Sequence, residues 1–188
     1  NELTGNPQSF VDLLFATGPL PRLYTDLSRG ALFKRMVTGG FSEVITRDSV
    51  RRRAAWFGSY ITTILQRDVR ELSNIEHLTL LPRLLSLVAA RAMSLLNHAE
   101  LSRALGLPQS TLKRYMALLE TTFLVRQVPA WSANLGKRLV KSPKLMLCDT
   151  GLMAYLLGVD SGSAVPDHVT GPLVENYTAM ELTKHLGW

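Results

Sequence analysis

The predicted fold depends above all on residues 97–120, which read NHAELSRALGLPQSTLKRYMALLE. Apolar side chains recur in this stretch at the three- and four-residue spacing of two short helices, one on each side of Gly106. These side chains are Leu101, Ala104, Leu105, Leu112, Met116 and Leu119. Glycine permits a tight turn between the helices, because it adopts backbone conformations that other residues avoid. The stretch therefore predicts a helix-turn-helix.

A polar strip occupies the first two turns of the second helix. It consists of Gln109, Ser110, Thr111, Lys113 and Arg114. A recognition helix presents side chains of these types to base edges and phosphates in the major groove of DNA. Residues 122–129 follow as a predicted strand, the start of a wing. We therefore expect a winged helix-turn-helix that either binds duplex DNA or serves as a protein-docking module, since one fold supports both roles.

The segment after the second helix is strongly basic. Residues 121–148 contain no acidic residue. Their cations are Arg126, Lys137, Arg138, Lys141 and Lys144. On a wing beside a recognition helix, these side chains would contact flanking phosphates. The alternative is that they pair with another part of the protein, such as the C-terminal segment.

Charge is divided unevenly along the chain. Residues 1–144 hold 20 Lys and Arg against 10 Asp and Glu, whereas residues 145–188 carry a net charge of −4. The basic part predicts either a polyanionic partner or a solvated surface. Arg51, Arg52 and Arg53 lie in the first turn of a helix predicted over residues 48–72, where the helix dipole is positive. This run indicates a solvated face or an anionic partner.

The rest of the chain predicts a mainly α protein with a small β component. Helices are predicted over residues 7–17, 28–38, 79–93, 152–157 and 173–186, a buried strand over 144–149, and a polar loop over 160–172. Cys148 falls within the buried strand, which favours an inert thiol.

Composition narrows the classes of protein. The chain has 188 residues, 46% of them hydrophobic, and a formal net charge of +6. Its longest apolar stretch, residues 84–96, is broken by Ser86, Arg91 and Ser94, so no segment offers the roughly 20 apolar residues of a membrane span. Cys148 is the single cysteine, and the histidines lack metal-ligand spacing. We expect a cytoplasmic protein with no metal site and no membrane partner.

Several motifs along the chain resemble a known family. They are residues 39–44, 60–72, 118–125, 134–144 and 149–152. On these motifs the chain resembles the predicted bacterial AAA+-superfamily ATPases with a C-terminal domain of unknown function (number 4143), and the likeness covers essentially the whole chain. The resemblance implies a preceding ATPase domain that uses ATP and Mg, and duplex DNA, that domain or neighbouring subunits as partners. No G-x-x-x-x-G-K-[ST] motif is present, so we expect neither cofactor nor catalysis in this chain.

The C-terminal part of that family is also similar to the PD-(D/E)xK nuclease fold. Glu175 matches the helix glutamate of its metal site, and the remaining metal-site elements would fall after Trp188. The resemblance thus implies a helical connector or lid over 1–76, a winged helix-turn-helix over 77–144 and an incomplete nuclease-like unit over 145–188. The expected function is a non-catalytic DNA-binding module. The alternatives are a docking or oligomerisation module for the ATPase core, or part of a nuclease in the full-length protein, with Glu175 otherwise an exposed or capping residue.

Overall fold

The computed structural model describes residues 10–15, 24–68, 79–134, 136, 140–160 and 165–185. The helices are α1 (Phe10–Phe15), α2 (Arg29–Thr38), α3 (Ser42–Ile45), α4 (Val50–Thr63), α5 (Leu80–Ala90), α6 (His98–Leu105), α7 (Gln109–Thr121), α8 (Thr150–Leu156) and α9 (Asp167–His185). The strands are β1 (Val125–Val128) and β2 (Lys144–Leu147). The described chain is therefore mainly helical with a small sheet, as the sequence predicted.

The N-terminal helices begin and end where the sequence signals indicate. The Ser28 hydroxyl accepts a hydrogen bond from the N–H of Ala31 and caps α2, which ends at Gly39 with a φ of 79°. The helix predicted over 48–72 is interrupted. Its α-helical part, α4, ends at Thr63, and a π-helical turn, Ile64–Asp68, follows it directly. Residues 69–72 lie outside the described residues.

The central pair of helices has the predicted arrangement. The Asn97 side chain accepts from the N–H of Glu100 and caps α6. Gly106 then adopts the left-handed conformation, with a φ of 66°, and α7 begins three residues later at Gln109. Helix α5 packs beside this pair. The prediction of a helix-turn-helix over residues 97–120 is confirmed at the level of its two helices and their turn.

The sheet follows α7 and is antiparallel. Val125 pairs with Leu147, and Val128 pairs with Lys144. The free edge of β2 is partly covered by residues 93–96: the N–H of Met93 donates to the Leu145 carbonyl (2.6 Å), and the N–H of Leu145 donates to Ser94 (3.1 Å). The backbone of this segment therefore adds a short third edge to the sheet.

Helix α9 begins earlier than predicted. The loop expected over 160–172 ends at Asp167, and Pro172 lies inside the helix. Proline has no N–H to donate to the preceding turn, so it is typical of loops and concealed this start. The N–H groups of Val169 and Thr170 instead donate to the carbonyl oxygen of Pro166, at 2.9 and 3.2 Å. These bonds form the first turn ahead of the proline.

The start of α8 packs against the end of α2. Asp149 caps α8, and its carboxylate accepts from the N–H of Leu152 and from the N–H of Gly40, both at 2.7 Å. A Cβ at Gly151 would lie 2.3 Å from the carbonyl oxygen of Thr38. Only glycine allows this approach of two backbones. We call this contact the α2–α8 junction.

One hydrophobic cluster connects the described elements from α2 to α9. Its fully buried members include Leu81, Leu84, Leu85, Leu101, Leu112, Tyr115, Met116, Leu119, Leu124, Leu145 and Leu147. The inner faces of α5, α6, α7 and the sheet therefore share a core. The boundaries at residues 76 and 144 stay a prediction. Within the described residues, no helix combines the length and apolar character required to cross a membrane.

Candidate nucleic-acid interface

The outer face of α7 is polar and basic. Gln109, Ser110, Lys113 and Arg114 are exposed, and Thr111 is half-buried. The inner face buries Leu112, Tyr115, Met116, Leu118 and Leu119. Burial of the inner face fixes the orientation of the helix, so the predicted strip faces solvent. We refer to the five residues of this strip as the α7 strip.

Glu120, the single acid of α7, lies beyond the α7 strip and forms its hydrogen bonds with β1. Glu120 accepts from the backbone N–H of Gln127 (3.0 Å) and from the side-chain amide of Gln127 (2.9 Å). These bonds tie the end of α7 to β1. They direct the carboxylate toward the sheet and hold the helix against it.

The other acid of this part of the chain is also paired. Residues 79–144 contain ten Lys and Arg but only two acids, Glu100 and Glu120. Glu100 accepts two hydrogen bonds from Arg91, at 2.6 and 3.0 Å. Neither acid therefore forms an ion pair with Lys113 or Arg114 of the α7 strip.

The predicted basic residues of the wing have different surroundings. Arg126 on β1 and Lys141 are exposed. Lys144 is half-exposed and forms an ion pair with Glu175 of α9. Lys137 and Arg138 lie outside the described residues. Arg126 and Lys141 are therefore surface residues, and the ion pair with Glu175 partly neutralises Lys144.

His98 lies at the start of α6, where the charge of Lys113 affects its pKa. Partial burial, and secondarily the Lys113 ammonium, lower the pKa of His98 below its usual range. The lowered pKa favours the neutral imidazole. A neutral imidazole adds no charge to the strip unless an anion arrives beside it.

Glu175, the predicted nuclease residue, contacts Lys144 on the protein surface. Both side chains are about half exposed, so the pair adds little to stability. Among the described residues, no three His, Cys, Asp or Glu side chains lie together as a metal site would require. The nuclease hypothesis gains no supporting contact and stays a prediction.

The next residue on α9, Asn176, escaped the sequence analysis. It is fully buried, its Oδ1 accepts from the N–H of Leu147 (2.9 Å), and its Nδ2 donates to the Leu147 carbonyl (3.0 Å). The amide thus takes the place of a strand partner where the 93–96 segment has ended. A lone Asn in a polar-looking helix gives no sequence signal of this role.

These features define a mainly helical protein with a small two-stranded sheet, in which α7 turns a polar, basic face to solvent. Residues 29–163 match the family described as a domain of unknown function (DUF8612). The match covers well over half of the chain, so the chain belongs to this family.

Two curated proteins are similar in sequence to this chain. They are uncharacterized protein Mb2031c of Mycobacterium bovis and uncharacterized protein Rv2008c of Mycobacterium tuberculosis, each 36% identical over 140 residues. The alignment covers 74% of this chain but 32% of each relative, so the chain spans about a third of their length. No solved structure matches the chain significantly.

The resemblance to the AAA+-superfamily ATPases is therefore wrong, because the matching family is DUF8612 and neither relative is described as an ATPase. The motifs that suggested it have a structural explanation. Residues 39–40 and 149–151 build the α2–α8 junction, where backbone packing requires glycine and a capping Asp. Motifs of this kind specify local geometry and not an activity. The ATPase domain, the ATP and the Mg inferred from the resemblance lose their basis.

Proposed function

We propose that residues 79–147 form a winged helix-turn-helix that binds duplex DNA, with α7 as the recognition helix. The order of α5, the 93–96 edge, α6, α7, β1, a connecting segment and β2 is that of a winged helix. In such modules the second helix of the helix-turn-helix enters the major groove. In this proposal the segment that joins β1 and β2 is the wing, and its described residues are 129–134, 136 and 140–143.

The exposed cations of the α7 strip, which form no ion pair among the described residues, carry this proposal. Lys113 and Arg114 face solvent, while Glu100 and Glu120 are occupied by Arg91 and Gln127. Duplex DNA offers closely spaced phosphates to such a surface, and each neutralised phosphate releases counterions. Gln109 and Ser110 add donors and acceptors suited to base edges.

A protein-docking role is the second candidate. Exposed apolar side chains surround the sheet: Phe123 is 74%, Trp131 81% and Val140 86% exposed. Aromatic and aliphatic side chains at a surface are typical of protein contacts as well as of nucleic-acid contacts. The charge of α7 favours DNA as the first candidate.

The test is a fluorescence-anisotropy titration of a mixed-sequence duplex at about 50 and about 200 mM salt. If Lys113, Arg114, Arg126 and Lys141 each neutralise one phosphate, a slope of about −0.9 per phosphate weakens binding by about 150-fold over this range. The variant Lys113→Glu/Arg114→Glu removes two of these contacts and reduces the ratio to about 12-fold. It also lowers affinity at both salt concentrations.

The matched control is Arg51→Glu/Arg52→Glu, at the exposed start of α4. Both variants lower the formal net charge from +6 to +2, so total charge is held constant between them. Acids are favoured in the first turn of a helix, which protects the fold of the control. Equal losses in the two variants, or no binding by the wild type at about 50 mM salt, contradict the proposal and favour docking.

A further inference from the structure

Helix α9 brings an acid to the end of the proposed wing. Glu175 forms an ion pair with Lys144, the first residue of β2, and both side chains are about half exposed. Residues 145–188 carry a net charge of −4, whereas the chain before them is basic. This ion pair is therefore a point at which the acidic C-terminal segment meets a cation beside the wing.

The backbones that carry the two charges are held in place. Asn176, the residue after Glu175, is fully buried and forms two hydrogen bonds with the backbone of Leu147, at 2.9 and 3.0 Å. Lys144 lies in β2 and forms a β-bridge with Leu95 on the other side of the strand. The packing of α9 against β2 therefore keeps the carboxylate beside the lysine.

Lys144 lies near the end of α6 that adjoins the α7 strip. The carbonyl of Pro143, the residue before it, accepts from the N–H of Leu96 (2.8 Å), and α6 begins two residues later at His98. Partial burial and the charge of Lys113 lower the pKa of His98, so the α7 strip lies close to this end of α6. The start of α6 thus connects Lys144 with the α7 strip, and phosphates of one duplex can face both.

We propose that Glu175 limits the affinity of the protein for DNA, because its carboxylate competes with a DNA phosphate for Lys144. This inference rests on the proposed DNA binding and names a residue that sets its strength. The ammonium group of lysine carries a single charge, and the carboxylate already partly neutralises it. The carboxylate also repels an approaching phosphate.

The variant Glu175→Gln tests this competition in the anisotropy titration. Glutamine keeps the size of the side chain and removes its charge. At about 50 mM salt, we expect the affinity for the duplex to rise about two- to fivefold, which corresponds to the strength of an exposed ion pair. If Lys144 then neutralises a fifth phosphate, the loss of affinity between about 50 and about 200 mM salt increases from about 150-fold to about 500-fold.

Glu181→Gln is the matched control. Glu181 lies on the same helix, pairs with Lys184 at 2.7 Å and is exposed to a similar degree. Each variant raises the formal net charge from +6 to +7, so a general effect of charge is the same in both. Both glutamates are exposed, so neither change is expected to disturb the fold. We expect the gain in affinity from Glu175→Gln to exceed that from Glu181→Gln.

A double-mutant cycle with Lys144→Gln identifies the cation that is released. The loss of Lys144 should weaken DNA binding more in the Glu175→Gln background than in the wild type, where the lysine is already engaged. The double variant has the formal net charge of the wild type, +6, so its affinity is compared at equal charge. A gain in affinity that persists in the double variant contradicts the role of Lys144.

The outcomes separate this inference from the proposed function. If the wild type binds the duplex and Glu175→Gln gains no more affinity than Glu181→Gln, the competition is overturned and the proposed DNA binding remains. Glu175 then pairs with Lys144 only to hold α9 against β2. If neither the wild type nor Glu175→Gln binds the duplex at about 50 mM salt, both proposals are overturned.

Discussion

Replacing Asn176 with Ala is expected to destabilise the fold strongly. The change leaves the N–H and the carbonyl of Leu147 buried without the two bonds that the amide supplies, at 2.9 and 3.0 Å. An unpaired buried polar group costs roughly 1–3 kcal/mol, so the two together cost about 2–6 kcal/mol. This is a large part of the roughly 5–15 kcal/mol that stabilises an ordinary domain.

Urea unfolding followed by circular dichroism measures this loss. The control is Thr178→Ala on the same helix, an exposed residue whose hydroxyl donates to the Val174 carbonyl (2.9 Å). Its effect is expected within about 0.5 kcal/mol. A loss below about 1 kcal/mol for Asn176→Ala, with an unchanged dependence on urea, refutes the role assigned to the amide.

Asn176→Asp adds a pH test of the same contact. A carboxylate at this position faces the Leu147 carbonyl and repels it, whereas a protonated carboxyl donates to it as the amide does. Burial and the carbonyl raise the pKa of the introduced group in the folded state. Its stabilising contribution is therefore present at low pH and lost as the pH rises. The variant should lose less stability at pH 4 than at pH 7, relative to wild type.

Three further predictions concern the α2–α8 junction and the strand beside it. Gly151→Ala, whose Cβ would lie 2.3 Å from the Thr38 carbonyl oxygen, should cost about 1–3 kcal/mol in thermal unfolding, whereas Gly30→Ala meets nothing within 4 Å and should stabilise slightly. Burial raises the pKa of the Cys148 thiol to about 11, so iodoacetamide at pH 8 should modify it slowly in the native protein and rapidly in urea; fast native labelling contradicts its burial. Burial likewise raises the pKa of Asp149 against the opposing effect of its hydrogen bonds, so its contribution is present at low pH and lost as the pH rises. Urea unfolding at pH 7 and pH 4 should show wild type gaining stability in acid relative to Asp149→Asn, and no such gain would contradict the direction.

The helix-turn-helix was predictable because its signals are local. The apolar spacing around Gly106, the Asn97 cap and the polar strip from Gln109 to Arg114 all lie within 18 consecutive residues. Each side chain is placed by its own helix, so the exposed face of α7 followed from periodicity. The same holds for α2, which Ser28 and Gly39 delimit.

Features that depend on distant partners were not predictable. Residues 93–96 come directly after a stretch with helical spacing, so the sequence does not predict that they pair with a strand. The chain turns at Met93, which has a φ of 62°, a conformation that usually requires glycine. The pairing of Lys144 with Glu175 joins residues that the sequence assigns to different parts of the protein. A carboxylate on α9 that neutralises a wing lysine becomes visible only when the two elements are placed in space.

The α2–α8 junction connects the N-terminal helices with the part of the chain that follows the sheet. Gly40 and Asp149 are 109 positions apart, yet one hydrogen bond joins them, and the family match over residues 29–163 includes both. The end of α2 therefore lacks its packing partner until α8, near the end of the matched residues, has been synthesised. The helix-turn-helix between them is therefore an insert in a closed loop of chain, and α2 and α8 should unfold as one cooperative unit.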